Sequence, residues 1–254
     1  MNKSFNNINS ELAMSRNINS MYKTTDNYFG WNLSVFPIEK NKNILDLGSG
    51  PGTYFYQIMR YSPSLYMATD YSANYVNQIN TLFAGRPNCS ALQLDLTDPL
   101  IVKDLSIYRF DYVFLFDVLE HVKDDRRLLE NTRSIIENCG SGIMFLRVPA
   151  LQFLYGKNDE AIGHYRRYSA KSLRSLLESL DFKVHLLKYQ NLPGIFPWYV
   201  IGRILKRSLA LSSKEGSIFN YIVPALKFAE RVIAPPIGLS LYCVCTVKKK
   251  ESSK

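Results

Sequence analysis

The chain has 254 residues, 46% of them hydrophobic and 21% charged, which suits one large α/β domain and excludes a disulfide-stapled miniature or a disordered chain. Its net charge of +9 is uneven: residues 1–140 hold 13 Lys/Arg against 15 Asp/Glu, whereas residues 141–254 hold 18 against 7. The basic half is read either as facing an anionic partner or as a solvated surface ending in the tail Lys248–Lys254.

The opening stretch, Met1–Ser20, is polar and rich in Asn and Ser, without the apolar core of a signal peptide. From residue 43 strands alternate with helices. Asn43–Leu47 is a short apolar strand that runs into Gly48-Ser49-Gly50-Pro51-Gly52. Thr53–Tyr61 reads as the next helix, Leu65–Thr69 as the second strand, and Ser72 as the cap of a helix reaching Phe83. Cys89–Leu94 leads into Asp95 as a third strand. Asp111–Phe116 is a continuous apolar run of the kind buried on both faces. Asp124–Asn138 is helical, with Leu128, Leu129, Ile135 and Ile136 at helical spacing, and Ile143–Val148 is the fifth strand. Ser169 caps a helix to Leu180, Phe182–Lys188 is the sixth strand, and Leu239–Val247 is the last. The roughly 50 residues before the last strand exceed a tight connection. They carry apolar helical segments near Trp198–Leu209 and Ile218–Ile233.

This alternation predicts a parallel sheet with helices on both faces, and ligands in such sheets sit beyond the carboxyl ends of the strands. The glycine spacing is G-x-G-x-G, preceded by Asp46; a dinucleotide pattern would need a third glycine where Thr53 stands. An acid follows each of the next strands in turn: Asp70, Asp95 and Asp117. One such acid reads equally well as a helix cap or turn residue; the series is harder to obtain that way.

Asp46-x-Gly48-x-Gly50-x-Gly52 and the acids after it closely resemble class I methyltransferases that use S-adenosylmethionine (SAM), of the methyltransferase-11/23 type. The resemblance implies a Rossmann-like, doubly wound, seven-stranded sheet, mostly parallel with the last strand antiparallel, and a helical insertion before that strand. It divides the chain into a polar N-terminal segment (1–42), a SAM-binding core (43–190), an insertion or lid (191–238), and the last strand with a basic tail (239–254). For SAM it implies contacts from Asp46, Gly48, Ser49, Gly50 and Gly52, ribose contacts from Asp70 with Tyr71 beside it, adenine contacts at Asp95-Leu96, and a flank from Phe116-Asp117.

Two further motifs bear on the acceptor. Asp117-Val118-Leu119-Glu120-His121 resembles the E-x-x-E-H stretch of ubiquinone-type O-methyltransferases and small-RNA 2′-O-methyltransferases, in which acids and His can hold a divalent metal. Asp117 replaces the first Glu, so a divalent metal is allowed by the ligand types but not favoured, and His121 is read as a base with Glu120 facing the acceptor. Gly163-His164-Tyr165-Arg166-Arg167-Tyr168-Ser169 resembles a G-H-x-R-R-[YF]-[ST] stretch of bacterial methyltransferases. There His164 could accept a hydroxyl proton, and Tyr165, Arg166 and Arg167 could hold an anionic acceptor; an Arg pairing with Asp159 or Glu160 explains the charges equally well. The expected activity is methyl transfer to a small-molecule, glycan or lipid-type acceptor at oxygen. The alternatives are a nucleic-acid acceptor, for which no base-pocket or RNA-binding motif is visible, and a non-catalytic SAM-binding subunit. Cys89, Cys139, Cys243 and Cys245 form no C-x-x-C pair, which fits a reducing cytoplasm. Leu192–Leu205 lacks acids and suits either a lid or an interfacial anchor on a membrane.

Overall fold

The computed structural model describes residues 25–139, 142–206 and 213–248, with the side chains of 213–219 left aside. Helix α1 (25–33) leads to strand β1 (Asn43–Leu47). Then come α2 (Phe55–Met59), β2 (Leu65–Asp70), α3 (Ala73–Phe83), β3 (Cys89–Gln93), α4 (Ile101–Leu105) and β4 (Tyr112–Phe116). The second half holds α5 (Asp125–Cys139), β5 (Ile143–Pro149), α6 (Lys157–Ala161), α7 (Ala170–Glu178), β6 (Phe182–Gln190), α8 (Ile195–Tyr199), α9 (Ser213–Val232) and β7 (Ser240–Val247).

The seven strands lie in the order β3-β2-β1-β4-β5-β7-β6, with β7 antiparallel to both neighbours and the other pairings parallel. The order reverses between β1 and β4, which places a switch point at the end of β1. This is the sheet expected from the sequence.

Alternation along the strands builds two cores. In β4 the aliphatic Val113 and Leu115 face α5 and α7, while the aromatic Tyr112, Phe114 and Phe116 face α1, α2 and α3. Every residue of β4 is buried. Phe36, just past α1, stacks on Phe116 and Phe145 at 5.2 and 4.9 Å between ring centres, so the segment after α1 is anchored to the middle of the sheet. Cys243 and Cys245 are fully buried on the aliphatic side, and all four cysteines are free thiols.

Local chemistry sets the element ends. Ser72 caps α3 by accepting from Tyr75 N, and Ser169 caps α7 by accepting from Ser172 N. α2 is shorter than the expected 53–61 because Pro51 and the left-handed Gly52 hold residues 51–54 in turns. β6 runs on to Gln190, two residues beyond its expected end. The insertion is helical: α8 continues as a π-helical turn over Val200–Ile204, and α9 follows; residues 207–209 of the expected first segment lie outside the described residues. Among the described residues no helix is long and apolar enough to cross a membrane.

Candidate active site

The glycine loop turns through three left-handed positions, Gly48, Gly50 and Gly52, with φ of 70°, 59° and 82°. A Cβ on Gly48 would stand 2.7 and 2.9 Å from the methyls of Val118, so loop and post-β4 segment meet at van der Waals contact. A Cβ on Gly50 would meet nothing within 4 Å, which leaves open space beside the loop.

Four bonds tie the loop to β2: the Ser49 hydroxyl donates to Thr69 O at 3.3 Å, and three backbone N–H groups donate as well. Ser49 N donates to Thr69 O at 2.8 Å, Gly48 N to Thr69 Oγ1 at 3.4 Å, and Gly50 N to Asp70 Oδ2 at 2.9 Å. The other oxygen of Asp70 accepts from Ser72 N at 2.8 Å. Each Asp70 oxygen thus keeps acceptor capacity for a ligand. Tyr71 stands open to solvent beside it. Asp46 is buried and accepts from the Tyr66 hydroxyl at 2.7 Å. Burial pushes its carboxyl up to about 7, against the opposing pull of the Tyr66 bond.

Asp95 is exposed, two residues beyond β3, and its Oδ1 accepts from Thr97 N and Thr97 Oγ1 at 2.9 and 2.7 Å. Leu96 is buried, with its carbonyl held by Asn131 Nδ2 at 2.9 Å. Phe116 closes β4, and Asp117 follows in a left-handed conformation (φ 55°). The residues expected to contact SAM therefore all lie at the carboxyl ends of the four adjacent strands β3, β2, β1 and β4.

Asp117 is ion-paired with Arg147 of β5, a residue the sequence reading passed over. Arg147 is buried and also donates to Tyr242 Oη (2.8 Å), Tyr28 Oη (2.9 Å) and Ser240 Oγ (3.0 Å). Its signal in the sequence was a lone charge inside the apolar run Ile143–Pro149. Its acceptors come from α1 and β7, far away along the chain.

A second cluster lies beyond β4 and β5. The turn Leu119–His121 brings Glu120 and His121 against the segment after α6. Asp159 holds His164, its Oδ1 lying 2.9 Å from Nδ1, and it accepts from Arg167 Nε at 2.7 Å and Gly156 N at 3.1 Å. The tautomer this favours carries the proton on Nδ1 and leaves Nε2 bare, 3.7 Å from Glu120 Oε1. The rings of His121 and His164 meet edge-on at 4.5 Å. Burial first, and then the neighbouring His164, lower the pKa of His121, which favours its uncharged form. Glu120 is fully buried, neither of its carboxylate oxygens has a hydrogen-bond partner, and burial lifts its pKa to about 8. Glu120, His121 and His164 offer three ligand atoms within 4.8 Å of one another; a cation or a retained proton would neutralise Glu120 alike.

The two arginines expected at the acceptor are committed within the chain, which follows the alternative reading of that motif. Arg167 is buried, donates to Asp159 and to Ala150 O (3.0 Å), and stacks on the Trp198 ring at 4.7 Å. Arg166 pairs with Asp125 at 2.7 Å and donates to Lys123 O at 2.6 Å. Tyr165 is exposed, its N–H donating to Glu120 O at 2.8 Å. Trp198 Nε1 reaches Asp159 Oδ2 at 3.4 Å, so the insertion sits directly on the group that orients His164. The packing is close there: a Cβ on Gly202 would lie 2.8 Å from Asn158 Nδ2.

A family model described as a methyltransferase domain matches residues 26–187. The tRNA U34 carboxymethyltransferase of Dichelobacter nodosus (strain VCS1703A) is 26% identical over 151 residues, 57% of this chain and 47% of that protein. The chain thus spans about half the length of that curated relative. Among solved structures, the complex of the Haloferax volcanii Trm112 methyltransferase activator with a methyltransferase matches with a TM-score of 0.59 and 14% identity over 94% of this chain and 95% of that one. The plantazolicin methyltransferase BamL, solved with a triazolic desmethyl-plantazolicin analogue and SAH, matches with a TM-score of 0.53 and 14% identity over 98% and 92%.

Proposed function

Because the chain belongs to the methyltransferase domain family, a class I, SAM-dependent family, we propose that it methylates a hydroxyl of a small-molecule, glycan or lipid-type acceptor, with His121 as the proton acceptor. The residues around the loop fit SAM: open space beside Gly50, a carboxylate with spare acceptor capacity at Asp70, and a second carboxyl at Asp46 suit a ligand rich in hydroxyls and positive charge. When bound, SAM supplies an electrophilic methyl group.

The rest of the task falls to the chain: placing the acceptor and taking its proton. His121 suits the second task because its uncharged form is favoured and it reaches solvent beyond β4. His164 is the positioning residue, with Asp159 fixing its ring and its edge set against His121. The carrying observation is the solvent-accessible His121 just beyond β4, its ring set edge-on against His164 at 4.5 Å. The exposed Phe196, Ile204 and Leu205 of the insertion support a lipid-type acceptor and a peripheral membrane contact.

The test is product mass after incubating labelled SAM with cell extract, with His121→Gln beside the wild type. A hydroxyl-methylated product, and loss in the variant of the acid limb of the pH–rate profile, support the reading. Full activity of His121→Gln with an unchanged profile removes His121 from the chemistry. A second reading, an RNA acceptor, is supported by the relative named for tRNA U34 and by the basic second half of the chain. It predicts label in RNA, sensitive to nuclease, and a steep loss of binding with salt.

A further inference from the structure

A cleft of about 400 Å³ lies between the edge strand β6, helix α1 and helix α9. β6 stands four strands from β1 in the sheet, roughly 19 Å at the usual strand spacing, so this cleft is well separated from the glycine loop. Its walls include Lys188 and Gln190 of β6, Lys227, Glu230 and Arg231 of α9, and Trp31 of α1.

Gln190 is 3% exposed, and neither its amide oxygen nor its amide nitrogen has a hydrogen-bond partner. A buried amide is costly unless something satisfies it, so this one points to a bound donor–acceptor group. The charges around it are unbalanced. Glu230 accepts from the N–H groups of Asn191 and Leu192 at 3.1 and 2.9 Å and is thereby occupied. Lys188, Lys227 and Arg231 form no ion pair among the described residues. Three cations against one carboxylate match a dianion better than a single carboxylate. The amide offers an N–H to an anion and an oxygen to a hydroxyl, so the fitting ligand carries both.

We propose that this cleft binds a hydroxyl-bearing phosphate ester, its phosphate held by Lys188, Lys227 and Arg231 and its hydroxyl or phosphate oxygen by the Gln190 amide. The anion site is thus set on β6 and α9, not at Arg166 and Arg167, whose donors are already committed.

Glucose 1-phosphate and inorganic phosphate serve as probes for calorimetry on the whole chain. Glucose 1-phosphate is expected to bind saturably, one per chain, and more tightly than inorganic phosphate. The double substitution Lys227→Gln/Arg231→Gln should weaken it at least tenfold, and Gln190→Leu should weaken it while removing no charge. Melting temperature and SAM titration on the same samples report folding and the methyl-transfer reading separately. Absence of saturable binding, or wild-type affinity in both variants, overturns the proposal. Two sources of the ester are then separated with labelled SAM and the small-molecule fraction of an extract. Suppression of product by glucose 1-phosphate in the wild type, but not in the double variant, assigns the phosphate to the acceptor. Unchanged product with calorimetric binding intact assigns it to a separate effector, and both results support the site.

Discussion

Replacing Asp46 by Asn should flatten the dependence of stability on pH. Asp46 is 3% exposed, and burial raises its carboxyl from 3.8 to about 7, while the Tyr66 hydroxyl pulls the other way. A carboxyl with a raised pKa holds its proton more tightly in the folded chain than in the unfolded one. The stability it contributes is therefore fully present below pH 3.8 and is lost as pH rises through 7. Each pH unit in that window is worth about 1.4 kcal/mol, so the whole interval amounts to roughly 4 kcal/mol. Asn cannot titrate, so any fixed cost of the substitution offsets the variant's curve without tilting it. Urea unfolding between pH 4.5 and 8.5 measures the difference. Wild-type stability relative to Asp46→Asn should fall by about 1.4 kcal/mol per unit up to pH 7, then level. Parallel curves would refute a buried, titrating Asp46. Tyr66→Phe removes the opposing bond and should move the levelling point above pH 7.

Three other perturbations probe the same framework. Asp70→Ala should weaken SAM binding at least about tenfold in calorimetry, because it removes ligand acceptors and frees Gly50 N; unchanged affinity would count against the loop as the cofactor site. Gly48→Ala should destabilise the chain by about 1–2 kcal/mol from the left-handed backbone alone and more from its contact with Val118; thermal melts should show partial recovery in Gly48→Ala/Val118→Ala, and no recovery would remove that contact as a cause. Arg167→Met strands the buried Asp159 and should cost about 3–5 kcal/mol, whereas Arg166→Ala, at a partly exposed pair, should cost about 1 kcal/mol; equal costs in denaturant melts would contradict the contrast in burial.

The sheet and the glycine-loop end of the candidate site were legible because their signals are local. Gly48, Gly50 and Gly52 occupy left-handed positions that favour glycine; Asp70 ends its strand, and Asp95 and Asp117 follow theirs within one or two residues. Ser72 and Ser169 announce helix starts by the same short-range chemistry. The clusters around Arg147 and His164 were less legible because their geometry is long-range. Arg147 meets Tyr28 and Tyr242 across 119 and 95 residues of sequence, and nothing beside it foretells either partner. The Arg166-Arg167 pair looked alike in sequence, yet one side chain is sealed under Trp198 and the other sits at a half-open pair with Asp125. Gln190 reads as an ordinary polar residue at a strand end; only the packing of α1 and α9 around it makes its amide conspicuous.

Trp198 binds the fate of two parts of the molecule together. By touching Asp159 and Arg167 it makes α8 part of the scaffold that holds His164. Exchanging α8 for a different sequence would therefore also reset the imidazole beneath.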